Sequence, residues 1–453
     1  MQAVSTTGLV DPKGAALYRR VAWRLMPLLI ACYVCAIIDR LNVSMAKLQM
    51  LSELNFSEAV YGFGAGVFFV GYFLFDVPSN LILHRVGAKW WIARIMIVWG
   101  LVSVATAFVV TPLSFYFMRF ALGLAEAGFF AGLVLYATYW FPVEWRGRIF
   151  ASMILAVPIA GVIVGPVSGG IMRGLHGFGG LSGWQWLFVI EGVPSIILGF
   201  LVVRFLDSRV EDSSWLSSEE KAQIREGLKS DAASGPKSYE FLFSGMVWLM
   251  SCVCFSISAG MAVVSFWLPT LIHAAGPASA LEVGFYSAIP WLLAVVPLVV
   301  GGRRADRSGR RRWYVAVPLF VCGAALALST VMSGLTFTLV LLTIATSGIL
   351  LALAQFWSLP AAYLSGVGAA GGIALINAVG NLAGFLTPVL IGTIKQATNS
   401  TDYGILVAAG IIILGGALTF LIPGRLVDDR NVSSDNRISD AHSKIATVRE
   451  SMG

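Results

Sequence analysis

The chain has 453 residues, of which 57% are hydrophobic and 12% are charged. Soluble domains carry about 25% charged residues, so this composition excludes an ordinary soluble domain and indicates a membrane protein with many spanning segments. The net charge of +7 does not by itself indicate a nucleic-acid partner, because the position of the charges in the chain decides their meaning.

Long apolar runs follow one another along most of the chain. About 20 apolar residues cross a bilayer as a helix, and Gly and Pro are tolerated inside such helices. The twelve runs of spanning length lie near 25–46, 59–83, 90–110, 113–137, 148–172, 185–206, 244–270, 283–302, 313–333, 335–358, 370–394 and 404–424. We therefore predict an all-α membrane protein with twelve transmembrane helices.

The basic residues of the connecting segments predict the orientation. Lys and Arg are concentrated near the N-terminus, in the even-numbered loops and in the C-terminal tail, whereas the odd-numbered loops hold only Lys47, Arg173 and Lys395. Cytoplasmic loops are enriched in Lys and Arg, so we expect a multi-pass membrane protein with both termini in the cytoplasm.

The main polar break divides the chain into two six-helix bundles. We assign 1–206 to an N-terminal bundle, 207–240 to a cytoplasmic linker, 241–425 to a C-terminal bundle and 426–453 to a disordered cytoplasmic tail. Within the linker, Ser213–Glu226 begins with serines followed by glutamates, which predicts a capped amphipathic helix. A helix that docks a partner protein is the alternative for this segment.

The two halves show an internal repeat. The segment Gly302–Arg311 follows the eighth apolar run, as Asn80–Lys89 follows the second. At one constant offset the matched pairs are His84 with Asp306, Arg85 with Arg307, Gly62 with Gly284, and Pro166 with Pro388. Duplicated six-helix halves are typical of transporters whose substrate site lies near the midplane between them.

Two pairs of charged residues interrupt the apolar runs: Asp39 and Arg40 in the first, and Arg119 and Glu126 in the fourth. A charge at mid-bilayer costs a few kcal/mol or more and normally faces a bundle interior or a wet cavity. Arg119 and Glu126 share a helix face but lie about 10 Å apart along the axis, which is long for a direct pair. We therefore expect Arg119 to face Asp39 or the neighbourhood of Arg40. The alternative is that these charges are fixed contacts between helices.

A switch that moves an arginine relative to a buried carboxylate can load and unload a proton. Residues 313–394 contain no Asp, Glu, Lys, Arg or His, so the countercharge for an anionic ligand must come from Arg40 or Arg119. A planar guanidinium binds carboxylates through two hydrogen bonds. Neutral candidates for further ligand contacts, each of which could instead bond a neighbouring helix, are Tyr72, Gln355, Asn377 and Asn381.

Charged residues near the cytoplasmic ends of the second and eighth helices predict a gate. Asp76 lies before a proline in the second helix, and Asp306 occupies the matching zone of the second half. We expect these acids to pair with Arg85 and Arg307 when the inner mouth closes. The alternative is that they are ordinary helix-end charges.

The chain shows no hydrolase triad, phosphate-binding loop or metal-ligand spacing, so we expect no enzyme activity, no cofactor and no bound metal.

The pattern G-x-x-x-D-R-x-G-R-R at Gly302–Arg311 resembles the signature of the major facilitator superfamily. In its first-half copy Asn80 replaces the glycine and His84 the aspartate. Within that superfamily the chain resembles the anion:cation symporter family. The segments that carry this likeness are Ile38–Asn42, Gly71–Asn80, Arg119–Gly128 and Trp215–Glu220.

The resemblance implies import of a small organic anion together with protons by alternating access, as in carriers of tartrate, phthalate, hydroxyphenylacetate and sugar acids. It implies that Asp39 and Glu126 are the proton-coupling acids, with Arg40 and Arg119 as their cationic partners. It assigns substrate contacts to Tyr72, Asn377 and Asn381. Sugar-acid carriers have a glutamine on the fifth helix where this chain has Ala156–Ile159, which favours a less hydroxylated acid.

The resemblance also implies the cell inner (plasma) membrane as the location of the protein. We expect a monomer whose partners are this anion, protons and the lipid bilayer. The alternatives are an anion exchanger or uniporter, and a membrane anion sensor, for which the linker and the tail are too short to provide an output domain.

Overall fold

A computed structural model describes residues 12–229, 244–277, 279–363 and 366–428, which are helical over most of their length and contain no β-strand. The helices are α1 (Pro12–Leu54), α2 (Glu58–Val86), α3 (Ala88–Thr106), α4 (Pro112–Glu126), α5 (Phe129–Thr138), α6 (Val143–Ile154), α7 (Ala156–Gly174), α8 (Gly183–Phe205), α9 (Ser218–Lys229), α10 (Gly245–Phe266), α11 (Leu268–Ala274), α12 (Ala280–Ser308), α13 (Trp313–Ser329), α14 (Leu335–Phe356), α15 (Ser358–Tyr363), α16 (Gly366–Thr398), α17 (Asp402–Leu421) and α18 (Gly424–Val427). Most of the predicted disordered tail lies outside the described residues.

Within the described ranges, eleven helical stretches are long and apolar enough to cross a membrane, and α13 is a shorter apolar helix that completes the predicted twelve. Three of the stretches combine two consecutive helices, namely α4 with α5, α6 with α7, and α14 with α15. The predicted all-α fold with twelve transmembrane segments is therefore confirmed.

The fourth transmembrane segment is broken, where the sequence predicts one continuous helix. α4 ends at Glu126 and α5 begins at Phe129, with Gly128 in the left-handed region at φ 80°. Glycine adopts this conformation without a steric penalty, so it lets the chain turn inside the apolar segment. The break leaves Glu126 at the last residue of α4, facing the neighbouring helices.

The helices form two bundles with the same internal arrangement. In the first bundle α3 packs on α8, α2 on α4, and α1 on α7. The corresponding helices of the second bundle make the same pairs, because α13 packs on α17, α12 on α14, and α10 on α16. The contacts between bundles are also paired, with α2 against α16 and α7 against α12. This is the pseudo-symmetry that the repeat predicts.

The matched repeat positions themselves form the closest approaches between the bundles. A Cβ on Gly62 would lie 2.4 Å from the carbonyl oxygen of Pro388. A Cβ on Gly284 would lie 2.1 Å from the carbonyl oxygen of Gly165 and 3.3 Å from the nitrogen of Pro166. Only glycine fits at such distances, so the repeat preserves two equivalent backbone contacts, one for each pair of helices.

The linker helix begins later than predicted and packs on the first bundle. Ser217 and Glu220 form the capping box, because the Ser217 hydroxyl accepts from the Glu220 amide while the Glu220 carboxylate accepts from the Ser217 amide. Helix α9 therefore begins at Ser218 rather than near 213. Glu220 also pairs with Arg20 of α1, and Ile224 is fully buried in the core of the first bundle.

Candidate functional site

The contacts between the bundles lie at one end of the molecule. We call this end, where α1 finishes and α2 begins, the loop side. The opposite end, where α1 begins and α17 finishes, is the termini side. Gly62, Gly165, Gly284 and Pro388, which mark the close approaches, all lie toward the loop side of their helices. The bundles are therefore closed on the loop side.

An ion pair between Arg40 of α1 and Glu126 of α4 lies inside the first bundle. The Glu126 side chain is 3% exposed, whereas the Arg40 side chain is 26% exposed. The family resemblance gives Arg40 and Arg119 as the cationic partners of Asp39 and Glu126 but does not say which arginine pairs with which acid. The structure joins Arg40 and Glu126 because the break after α4 leaves Glu126 facing α1. One member of the pair is thus sequestered while the other remains partly accessible.

The two arginines predicted to bind an anion lie against the same aromatic ring. The Cζ atom of Arg40 is 5.2 Å from the centroid of the Phe68 ring, and the Cζ atom of Arg119 is 5.3 Å from it. Arg40 is also 5.8 Å from the centroid of the Tyr72 ring. We call Arg40, Phe68, Tyr72, Arg119 and Glu126 the central cluster. It brings together four of the residues that the sequence selects.

Arg119 is the least satisfied polar side chain of the central cluster. It is fully buried, and its Nε donates a long hydrogen bond of 3.4 Å to the carbonyl oxygen of Gly64. Its two terminal nitrogens have no hydrogen-bond partner among the described residues. A guanidinium offers five N–H donors, and a buried donor without an acceptor costs about 1–3 kcal/mol, or more when charged. This side chain is therefore suited to receive an anionic group.

Of the two expected neighbours of Arg119, Asp39 and the surroundings of Arg40, the structure places Arg119 beside Arg40 on the Phe68 ring, and Asp39 forms no ion pair with either arginine among the described residues. The Asp39 carboxylate accepts hydrogen bonds of 2.8 Å from the Trp99 indole and from the Ser103 and Ser195 hydroxyls. The Asn42 amide donates a fourth, longer bond of 3.4 Å. These donors come from α1, α3 and α8, so Asp39 is held within the first bundle by neutral groups.

The sequence analysis did not single out Glu191, a buried acid of α8. It is 5% exposed and accepts a hydrogen bond of 2.7 Å from the Ser168 hydroxyl of α7. It also interacts with the Asn42 side chain, which links it to Asp39. Glu191 lies in the sixth apolar run, so the signal that marked Asp39, an ionisable residue in a membrane segment, also marks it.

Two predicted ligand contacts of the second bundle face the first. Asn377 and Asn381 are half-buried on α16, on the helix face that also carries Gly384. A Cβ on Gly384 would lie 2.6 Å from the Phe69 ring of α2. The two asparagines thus lie on the side of α16 that points toward α2, the helix that carries Tyr72.

The predicted gate residues lie toward the termini side. Arg85, Asp306 and Arg307 are exposed, and none of them forms an ion pair within the described ranges. Asp76 is half-buried, one turn beyond Tyr72 on α2.

The remaining candidate, Gln355, lies at the contact between α14 and α12. Its amide nitrogen is 3.6 Å from where a Cβ on Gly302 would lie, one turn before Asp306. It therefore lies near the predicted gate rather than beside the two asparagines.

The closed loop side is held by contacts of Lys47 and Lys395, two residues that the sequence analysis assigned to loops. Lys47 and Lys395 are helical, in α1 and α16, and their ammonium groups bind opposite oxygens of Glu58 at 2.7 and 2.6 Å. The Tyr61 hydroxyl donates a hydrogen bond of 2.7 Å to the carbonyl oxygen of Phe266 in the second bundle. The helices α1 and α16 extend further than the apolar runs, which is why these charges belong to the bundle contact.

The amino-acid sequence matches known proteins along most of its length. It is 44% identical over 424 residues to NicT, a candidate metabolite transport protein of Pseudomonas putida, covering 92% of this chain and 97% of that protein. It is 42% identical over 412 residues to a candidate tartrate transporter of Agrobacterium vitis, covering 90% and 91%.

The fold matches a solved structure as well. The crystal structure of a bacterial homologue of the human lysosomal transporter Spinster, in an inward-facing and occupied conformation, superimposes with a TM-score of 0.74 at 17% identity, covering 90% of this chain and 97% of that one. A sequence profile of the Major Facilitator Superfamily matches residues 29–388. The chain therefore belongs to the Major Facilitator Superfamily and is a multi-pass membrane transporter, not an enzyme.

Proposed function

We propose that this transporter imports a small organic carboxylate together with protons, by alternating access. The observation that carries the proposal is the charge of the central cluster. Glu126, the only carboxylate of the cluster, pairs with Arg40, so the fully buried guanidinium of Arg119 has no ion-pair partner among the described residues. Such a charge favours binding of an anion. The relatives named as metabolite and tartrate transporters are consistent with an organic acid as the substrate.

Two features of the cluster suit a carboxylate in particular. The terminal nitrogens of Arg119 can donate two parallel hydrogen bonds to the two oxygens of a carboxylate, which fixes the orientation of the substrate. The partly exposed Arg40 lies over Phe68 and beside Tyr72, whose hydroxyl can donate to a further oxygen of the substrate. Asn377 and Asn381 of the second bundle then determine which acid fits, whereas Gln355 lies nearer the gate.

The Arg40–Glu126 pair provides a physical link between proton and substrate. While Glu126 is ionised, it occupies the guanidinium of Arg40. A proton on Glu126 removes that charge and frees Arg40 to bind the substrate carboxylate. Proton binding and substrate binding then favour one another, as symport requires. Asp39 is the second proton-coupling acid, located behind the cluster in the first bundle.

We further propose that the termini side faces the cytoplasm of a cell whose inner membrane holds the protein as a monomer. The concentration of Lys and Arg on that side supports this orientation. The closed loop side then faces outward, so the conformation described above is inward-facing. Return to the outward-facing state breaks the Lys47–Glu58–Lys395 contact and closes the termini side through Asp76, Arg85, Asp306 and Arg307.

Uptake into proteoliposomes tests the proposal. Purified protein is reconstituted with an inward proton gradient, and radiolabelled tartrate, phthalate, hydroxyphenylacetate and galactonate are screened. For each substrate taken up, the unsubstituted protein is compared with Glu126→Gln and with the matched control Glu219→Gln, which removes an exposed carboxylate of α9. Counterflow exchange without a gradient is measured on the same vesicles.

Uptake above equilibrium that is lost in Glu126→Gln, with counterflow retained and Glu219→Gln unaffected, supports symport through Glu126. Uptake that never exceeds equilibrium, or that is the same in Glu126→Gln, rejects symport. That second result indicates an anion exchanger or a uniporter, in which Glu126 only orients Arg40.

A further inference from the structure

A second pair of acids lies within the first bundle, away from the central cluster. Asp39 of α1 and Glu191 of α8 are 1% and 5% exposed. The side chain of Asn42, which is fully buried, interacts with both carboxyl groups. We call Asp39, Asn42 and Glu191 the acid pocket.

The acid pocket contains no positive charge. Among the described residues, no Lys, Arg or His forms an ion pair with Asp39 or with Glu191, and the guanidinium of the adjacent Arg40 is directed to Glu126. Two ionised carboxylates in one apolar site repel each other and both lose their hydration. The pocket is therefore stable only when a cation balances one of the two charges.

Hydrogen bonding distinguishes the two acids. Asp39 accepts from the Trp99 indole, which can only donate, and from the hydroxyls of Ser103 and Ser195, so its surroundings solvate a carboxylate. Glu191 accepts from the Ser168 hydroxyl at its Oε1 and interacts with the Asn42 side chain, so it has fewer donors than Asp39.

Two polar atoms of the acid pocket lack a partner. The Oε2 atom of Glu191 and the Oδ1 atom of Asn42 are buried and form no hydrogen bond with any described residue. The Oδ1 atom of Asn42 is an acceptor, and so is the Oε2 atom of Glu191 while Glu191 is ionised, so the two atoms cannot then bond one another. A proton on Glu191 turns its carboxyl group into a donor, and the Oδ1 atom of Asn42 is an acceptor within the same pocket.

The other groups around Glu191 supply no charge that would change this balance. The helices that pack on α8 are α1, α3 and α7. Toward Glu191, α1 presents Asp39 and the thiol of Cys35, while α7 presents Ser168. The basic residues of α3 and α7 lie toward the ends of these helices: Lys89, Arg94 and Arg173.

We propose that the acid pocket binds one proton, which Glu191 carries in this conformation while Asp39 remains ionised. The pocket is then a proton site distinct from Glu126. A role for this proton in the transport cycle rests on the proposed symport. The presence of the proton on Glu191 is independent of the proposed symport. The two statements are therefore tested separately.

The protonation is tested by infrared difference spectroscopy of the purified protein in lipid at neutral pH. We expect a carbonyl stretch of a protonated carboxyl group in the unsubstituted protein and in Glu126→Gln, and its loss in Glu191→Gln. Glutamine has the shape of protonated glutamate, so we expect the melting temperature of Glu191→Gln to be unchanged. Asp39→Asn presents an amide group to donors that solvate a charge, and we expect a lower melting temperature.

The opposite results reject the proposal. If the band persists in Glu191→Gln, the proton is elsewhere. If the unsubstituted protein lacks the band, Glu191 carries no proton. If, in addition, replacing K⁺ by Na⁺ raises the melting temperature of the unsubstituted protein but not that of Glu191→Gln, the pocket holds a metal cation instead. These outcomes do not depend on transport, so they are independent of whether Glu126→Gln abolishes accumulation.

The role in transport is tested by the number of protons moved with each substrate, taken from the membrane potential at which net uptake reverses. We expect Glu191→Gln to move one proton fewer than the unsubstituted protein while it still accumulates substrate. An unchanged number, with the infrared band lost, shows that the proton is bound but takes no part in transport.

Discussion

Arg40 and Glu126 form an ion pair within the first bundle although 86 positions separate them in the sequence. The pair depends on the break between α4 and α5, which directs Glu126 toward α1. The acid is almost completely buried and the base is partly accessible. In the proposed symport, the substrate reaches Arg40 first and only a proton needs to reach Glu126.

Substitution of Arg119 by Met should remove substrate binding without destabilising the protein. The Arg119 guanidinium is fully buried and its terminal nitrogens have no partner among the residues described here. Replacement of a buried ion pair by apolar residues of similar volume is often neutral, or stabilising by about 1–4 kcal/mol, and Arg119 has no ion-pair partner among the described residues that its removal would leave uncompensated. We therefore expect an equal or higher melting temperature.

The substrate-dependent rise in melting temperature separates the two roles of Arg119. A ligand at 100 times its Kd stabilises a protein by about 2.7 kcal/mol, and we expect Arg119→Met to lose this effect. Arg119→Lys keeps the charge but not the planar donor pair, so it should retain part of the substrate-dependent rise in melting temperature. A lower melting temperature of Arg119→Met, together with a normal response to substrate, would indicate a purely structural contact.

Removal of the Glu58 charge should open the loop side. Lys47 and Lys395 come from different bundles and both bind Glu58, so Glu58→Gln leaves two ammonium groups facing an amide. Loss of about 1–2 kcal/mol from the closed state changes the ratio of closed to open molecules by roughly 5- to 30-fold.

The opening can be measured as the distance between two spin labels in a background without reactive cysteines. The labels are placed at Ser52 of α1 and Asp402 of α17, which are exposed, lie on the loop side and belong to different bundles. We expect a longer distance to gain population in Glu58→Gln. The control is Glu53→Gln, which alters an acid of the same side that accepts from the Trp184 indole within the first bundle. Equal distance distributions in the two variants would show that the lysines do not hold the closure.

The sequence predicted the architecture more completely than the site. Apolar runs and the repeat depend on local composition, and both were confirmed. The structure adds that the matched glycines Gly62 and Gly284 form contacts between the bundles. The partners of the charged residues depend on tertiary packing. Arg40 with Glu126, and Asp39 with Trp99, join residues from different helices, and no spacing within one segment predicts such pairs.

Lys47 and Lys395 show a second limit of the sequence. Hydropathy ends a membrane segment where apolar residues end, but a helix can continue beyond that point when its charges find partners. Both lysines belong to helices and both bind Glu58. Glu191, unlike these lysines, could have been selected from the sequence, because an ionisable residue within an apolar run indicates a functional site.

Acidification should loosen the linker helix without affecting the bundles. The backbone amide of Ser217 donates to Glu220, and together with Arg20 it holds the pKa of this carboxyl below its ordinary value of 4.5. A lowered folded-state pKa contributes stability above pH 4.5 that is lost as the pH falls through the folded-state value.

Hydrogen exchange of α9 at several pH values measures this effect. We expect α9 to lose protection, relative to the intrinsic exchange rate at each pH, as the pH falls below 4.5, with Glu220→Gln showing low protection at every pH. Exchange in α3 serves as the internal control. Slow exchange of α9 in Glu220→Gln at neutral pH would mean that burial of Ile224, rather than the cap, holds the linker helix on the first bundle.

A single methyl group at the contact between α7 and α12 should stop transport. A Cβ on Gly165 would lie 2.2 Å from the carbonyl oxygen of Gly284, so alanine there forces the two helices apart on the loop side. Overpacking costs about 1–3 kcal/mol, which corresponds to a roughly 5- to 150-fold loss of the closed state. Because the contact lies between the bundles, each bundle should still fold.

Gly170→Ala on the same helix is the matched control, because a Cβ at Gly170 would meet nothing within 4 Å. Alanine in place of glycine favours a helix by about 1 kcal/mol, so this control should be at least as stable as the unsubstituted protein and should transport normally. Initial uptake rates at equal amounts of reconstituted protein compare the two. A rate for Gly165→Ala within about twofold of the control would show that transport does not require the close approach of α7 and α12. Closure on the loop side would then rest on α2, α16 and the Lys47–Glu58–Lys395 contact.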